Sequence, residues 1–200
     1  AVNREELSVL VVGLGNREIT PDALGPRVAD NMMITRHVIR EFGKYALGAE
    51  HSNLISSIVP GVMAQTGMES LEIIRGVIRE TEPDCIVAVD ALAARSVKRL
   101  NRTIQITNTG INPGSGVGNH RHGLNRESVG IPVIAIGVPT VVDAATIVND
   151  AISGYYEEVD CTLNSFFVTP KDIDESIKRL SFTISEGLNL AFEKTACTNS

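Results

Sequence analysis

The sequence is poor in the features on which several large classes of protein depend. Its three cysteines, Cys85, Cys161 and Cys197, are too few and too scattered for a disulfide framework, and no Cys-x-x-Cys occurs. Cys85 falls inside the apolar run Cys85-Ile86-Val87-Ala88-Val89 and reads as a small core residue. A reducing, intracellular compartment is therefore expected. No apolar run approaches the roughly 18 residues of a membrane helix, so no membrane partner is expected. Positive charge is also short. Lysine and arginine number 18 against 24 aspartates and glutamates, a net charge of −6, which gives no electrostatic reason to hold nucleic acid directly. The opening Ala1-Val2-Asn3-Arg4-Glu5-Glu6 is charged and does not read as a signal peptide; the absence of an initiator methionine suggests a processed or trimmed chain.

Familiar catalytic signatures are missing as well. Gly13-Leu14-Gly15-Asn16-Arg17-Glu18 falls short of Gly-x-Gly-x-x-Gly at its last position, and no P-loop lysine follows any glycine loop. Gly114-Ser115-Gly116-Val117-Gly118-Asn119 is glycine-rich but does not join a strand to a helix. There is no Gly-x-Ser-x-Gly elbow to make Ser115 a nucleophile with His120 or His122. There is no His-Glu-x-x-His for zinc, although His120-x-His122 has ligand spacing. Asp-Thr-Gly and Asp-Ser-Gly are absent, which excludes a pepsin-like architecture. His37 and His51 read as surface residues.

What remains is an alternation of strand and helix signals in a chain with a hydrophobic fraction of 43%, enough for one domain over residues 1–200 with a full core. Strands are expected over 7–12, 54–59, 85–89, 103–107, 132–136 and briefly 166–168. Helices are expected after Thr20-Pro21, over 69–81, over 141–155, and over 172–192 with Thr169-Pro170 as a start signal. Residues 110–123 hold five glycines and read as a long loop. The pattern predicts an α/β fold, a mostly parallel sheet between helix layers.

Sites in such sheets gather at the carboxyl ends of strands. Three loops there carry an aspartate: Asp22, Asp90 and Asp143. Each has a plain structural reading. Asp90 could be a strand-end turn residue, Asp143 a first-turn helix acid favoured by the dipole, and Asp22 a cap. Each also has a chemical one. Two carboxyls that converge push their proton affinities apart, so that one activates water while the other protonates a leaving nitrogen. Asp22 would position substrate or, in a related chemistry, ligate a metal. The basic stretch Arg95, Lys98, Arg99 and Arg102 reads mostly as a solvated face.

Several strings resemble the bacterial spore germination protease family. They are Val11-Val12-Gly13-Leu14-Gly15-Asn16 through Thr20-Pro21-Asp22-Ala23-Leu24-Gly25-Pro26, then Pro60-Gly61-Val62-Met63, Asp90-Ala91-Leu92-Ala93-Ala94-Arg95, and Asn112-Pro113-Gly114-Ser115 through Asn119. Gly137-Val138-Pro139-Thr140-Val141-Val142-Asp143-Ala144, Val168-Thr169-Pro170-Lys171 and Glu186-Gly187-Leu188-Asn189 continue the resemblance. It implies an atypical aspartic-type endopeptidase with no cofactor and no metal, degrading small acid-soluble spore proteins in the spore core, the cytoplasmic compartment of the spore, at germination. It further implies a fold similar to that of hydrogenase maturation proteases, synthesis as a zymogen, a homotetramer, and Asp90 and Asp143 as the catalytic carboxylates. A basic pocket for a substrate glutamate is expected, with Arg95, Arg121 and Arg126 as candidates. The sequence departs from the family pattern in a short segment before Leu7 and a shrunken insertion near 154–165. Two alternatives stay open: a metal-assisted hydrolase using Asp22, Asp90 and His120 or His122, and a relative that binds spore proteins without cutting them.

Overall fold

The structure, a computed structural model, describes residues 6–48, 52–114, 122–152 and 161–193. Its centre is one sheet. Strand β1 (Ser8–Gly13) is flanked by β2 (Leu54–Ile58) and β3 (Cys85–Ala94), and β3 by β5 (Val133–Asp143), all parallel. Two short strands, β4 (Gln105–Thr107) and β6 (Phe167–Val168), run antiparallel to β5. The order is β2-β1-β3-β5-β4. The fold class is the α/β architecture expected from the pattern.

The central strands are continuous β-branched runs because both of their faces are covered. Period-two alternation splits each between two cores. Val9, Val11, Val87 and Val89 join Leu24 and Val28 of helix α1 (Leu24–Asp30) and Ile173, Ile177 and Ile184 of the last helix, α7 (Ile173–Glu193). Leu10, Val12, Ile86 and Ala88 meet Leu71 and Ile74 of α4 (Ser70–Thr81) on the other face. A capping box starts α4: the Glu69 N–H donates to Glu72 Oε2 at 2.8 Å, and the Glu69 side chain caps in return. Between these lie α2 (Arg36–Phe42), α3 (Met63–Thr66), α5 (Arg126–Val129) and α6 (Ala144–Ile152). No described helix is long and apolar enough to cross a membrane.

Four expectations are corrected. Thr20-Pro21-Asp22 forms a 3-10 turn rather than the start of α1, which begins at Leu24 and ends by Asp30. Strand β3 does not stop at Val89 but runs on to Ala94, and β5 absorbs Val141 to Asp143, so α6 starts only at Ala144. The reason is pairing: β3 and β5 continue as a ribbon past the end of β1, with Ala94 opposite Val142 and Val142 in turn opposite Val168 of β6. Thr169 does not cap α7; its hydroxyl donates to the Thr140 carbonyl at 3.0 Å. Finally, the expected helices omit α2, which ends at Gly43 with φ +77°.

Three glycines set how closely the first turn of α1 approaches the sheet. A Cβ at Gly25 would lie 2.3 Å from the Leu14 carbonyl oxygen and 2.4 Å from that of Val89. A Cβ at Gly13 would lie 2.3 Å from the Gly25 carbonyl oxygen. At Gly15, φ is +112° and a Cβ would meet the Asp22 carbonyl oxygen at 2.0 Å. Only glycine permits this contact, and it places the β1–α1 loop beside β3.

Candidate active site

The chain leaves β1 toward β2 on one side and leaves β3 toward β5 on the other. That is a topological switch point, where the two loops diverge and leave a crevice beyond the strand ends. A cleft of about 480 Å³ opens there, lined from β1–α1 by Gly15, Asn16, Ile19, Pro21 and Asp22, and from β3 by Asp90 to Ala93. Asn112 to Gly114, Thr140, Val141, Phe167 and Thr169 form the other walls.

Asp90 is 3% exposed, at the row where β1 ends and the ribbon begins. Its Oδ1 accepts the N–H of Ala91 at 2.9 Å. Gly137 is its register partner, and a Cβ on Gly137 would lie 2.4 Å from Leu92 Cδ1, so glycine there lets Leu92 fold down beside the aspartate. Asp22 is half-buried on the facing loop. Its Oδ2 accepts the Asn16 N–H at 2.6 Å, which closes the loop over Gly15. The Asn16 side-chain oxygen in turn accepts from the Glu18 N–H at 3.0 Å and Gln65 Nε2 at 3.2 Å. The cleft thus holds two carboxyls from different strands, one at the sheet edge and one braced by a backbone donor.

Asp143 stands elsewhere. It is the last residue of β5, opposite Phe167 of β6, whereas Asp90 pairs with Gly137. Allowing one residue for the β-bulge between Leu92 and Ala93, roughly 16 Å of strand separates them. Asp143 instead accepts from the Thr146 N–H and from Thr146 Oγ1, both at 2.7 Å, as the N-cap of α6. These bonds match the structural reading of the residue, a helix-start acid, and Asp143 does not line the cleft.

Arg95 follows β3 and is exposed, and Arg126 opens α5, also exposed; neither lines the cleft. Arg121, His120 and Ser115 lie outside the described residues. His122 pairs through Nδ1 with Glu69 Oε2 at 2.8 Å, away from Asp22 and Asp90. Among the described residues, no group of three or more His, Cys, Asp or Glu side chains is arranged to hold a metal ion. Cys85 lies at the opposite end of β3 from the cleft; burial and the neighbouring Asp84 charge push its thiol up from the ordinary value.

Sequence reasoning passed over Thr140. It is 1% exposed, lines the cleft and is the extra residue of the bulge, since Leu92 pairs with Pro139 and Ala93 with Val141. Bulges re-aim side chains near sites. The carbonyls flanking this one find outside donors: Pro139 accepts from the Asn101 N–H at 2.7 Å and Thr140 from Thr169.

The germination protease family profile matches residues 1–163. The germination protease of Caldanaerobacter subterraneus subsp. tengcongensis is 44% identical over 220 aligned residues, which cover 95% of this chain and 67% of the relative. That of Bacillus velezensis is 55% identical over 148 residues, 74% of this chain and 40% of the relative. The chain thus spans about two thirds of the length of the first relative. Among solved structures, a NiFe hydrogenase maturation protease from Thermococcus kodakarensis KOD1 superposes with a TM-score of 0.44 at 19% identity, covering 90% of this chain and 92% of that one.

Proposed function

The chain belongs to the germination protease family, proteases of spore germination, and on that premise we propose that it is an endopeptidase of small acid-soluble spore proteins whose working carboxyls are Asp90 and Asp22. The observation that carries this reading is that these two aspartates, one within β3 and one on the loop after the neighbouring β1, line one cleft at the switch point. In the proposed mechanism a water held between them attacks the scissile carbonyl. One carboxylate takes the water's proton, and the other, protonated, delivers a proton to the leaving nitrogen. Asn16 positions Asp22 through its N–H. The activity requires no cofactor in this scheme, and the spore core is the compartment where its substrates lie.

The pairing of Asp90 with Asp143, which the resemblance of the surrounding strings implies, is the second reading. Zymogen processing and tetramer formation come with the same resemblance. The test is cleavage of a purified small acid-soluble spore protein, followed by mass spectrometry of the fragments. Wild-type chain is expected to cut after glutamate, and Asp90→Asn to cut at least 10²-fold more slowly with unchanged melting. An Asp90→Asn chain that cuts at the wild-type rate refutes the site. A wild-type chain that binds the protein but leaves it whole refutes the activity and favours a binding role.

A further inference from the structure

We infer that the cleft seats its substrate as an added β-strand, an extended polypeptide segment pairing with the free outer edge of β3 from Ala91 to Ala94. This rests on the protease reading of the cleft. Strand β1 pairs with β3 only as far as Gly13 opposite Val89, whereas β5 pairs with it as far as Val142 opposite Ala94. The last four residues of β3 therefore have a strand on one side only.

Two hydrogen bonds fix which backbone groups face outward. The Ile86 N–H donates to the Pro132 carbonyl on the β5 side, and the Val89 carbonyl accepts from the Leu14 N–H on the β1 side, at 2.9 and 2.8 Å. In a parallel ladder both polar groups of a residue point the same way and alternate along the strand. Ala91 and Ala93 accordingly turn to the side that β1 has left. The Ala91 N–H is taken by Asp90 Oδ1. That bond brings the carboxyl to the same edge. The Ala91 carbonyl and both polar groups of Ala93 face the side on which β3 has no neighbouring strand beyond Val89.

These groups lie inside the cleft, half-buried, with side chains no larger than methyl at Ala91 and Ala93. Half-buried backbone left unpaired is costly, and a partner strand removes that cost. What fits is a chain that offers N–H and C=O groups at strand spacing, which is a polypeptide rather than a small molecule. Four residues of edge span about 13 Å, enough for three or four substrate residues leading to Asp90. Recognition through backbone leaves the side chains of alternate substrate residues to set preference.

The test uses a fluorescent peptide containing glutamate before an apolar residue, and copies carrying one backbone N-methyl group at each successive position. Binding to the Asp90→Asn chain and cleavage by the wild-type chain are both read. Strand addition predicts that every second methyl group on one side of the cut weakens binding and kcat/KM about tenfold, while the interleaved ones change them less than about twofold. Ala93→Pro, which removes an outward N–H at an edge where proline is tolerated, raises KM about tenfold and keeps kcat. Methyl groups that all weaken binding equally, or not at all, overturn the strand-addition inference while cleavage of the parent peptide leaves the protease reading standing. A parent peptide that binds with the two-residue alternation but is never cut does the reverse. Strong protection of the Ala93 amide from hydrogen exchange in the free chain would show the edge already covered, by another segment or a second copy, and also overturns the inference.

Discussion

Replacing Gly25 by alanine is the sharpest test of how the cleft is assembled. The added Cβ would lie 2.3 Å from the Leu14 carbonyl oxygen, 2.4 Å from the Val89 carbonyl oxygen and 2.6 Å from the Leu14 nitrogen. All three are backbone atoms, so no side-chain rotation relieves the clash, and the first turn of α1 must lift from the sheet. Overpacking of this kind costs about 1–3 kcal/mol, more where backbone moves. Helix propensity runs the other way, favouring alanine over glycine by about 1 kcal/mol. Gly76 in α4 and Gly187 in α7 isolate that opposing effect, because nothing lies within 4 Å of a Cβ added at either. Thermal unfolding by circular dichroism should show Gly76→Ala and Gly187→Ala at or about 2–4 °C above wild type. Gly25→Ala, with a net loss of about 2 kcal/mol, should melt about 4–8 °C below it. Lifting α1 also shifts Asp22 against Asp90, and a misplacement of about 1 Å lowers kcat/KM about 10²-fold. A Gly25→Ala chain that melts with the Gly76→Ala chain and cleaves normally would refute the claim that backbone contact at Gly25 sets the cleft.

Other perturbations separate structural from chemical roles. Asp143→Ala removes the cap of α6 and should lower stability by about 1 kcal/mol in denaturant unfolding, while Asp143→Asn, which can still accept the Thr146 N–H, should lose much less. The buried Asn53 accepts the Leu7 N–H at 2.8 Å and donates to the Phe192 carbonyl at 2.7 Å, tying α7 to the sheet. Asn53→Ala should therefore cost about 1–3 kcal/mol and expose the end of α7 to proteolysis. Because the Cys85 thiol is pushed up in the folded chain, the native state holds that proton more tightly than the unfolded one. Stability is unaffected below the ordinary thiol range and falls as pH rises from that range to the folded value, so the melting point of wild type should drop relative to Cys85→Ala only in alkaline solution. Exhaustive chelation should leave cleavage unchanged, and activity restored only by added metal would recast Asp22 and Asp90 as ligands.

The strands of the central sheet were legible because burial on both faces writes an uninterrupted apolar run, as in Val9 to Val12 and Ile86 to Val89. The amphipathic faces of α4 and α7 were legible for the complementary reason. What was not legible depends on pairing between distant segments. Ala91 to Ala94 has weak strand propensity, and Val141 to Asp143 adjoins a helix, yet each extends a strand because the other lies beside it. The site suffered from the same blindness. Asp22, Asp90 and Asp143 look alike as acids after apolar runs, and local sequence cannot say that Asp143 sits five rows further along the ribbon from Asp90 while Gly13, Gly15 and Gly25 draw Asp22 in.

The central claim is that Asp22, not Asp143, shares the cleft with Asp90 as its chemical partner. Its most direct measurement is kcat/KM for one spore-protein peptide with Asp22→Asn and Asp143→Asn side by side, each checked for unchanged melting. Asp22→Asn should lose at least 10²-fold, and Asp143→Asn should stay within about threefold of wild type. The opposite order, with Asp143→Asn inactive and Asp22→Asn near wild type, would contradict the account.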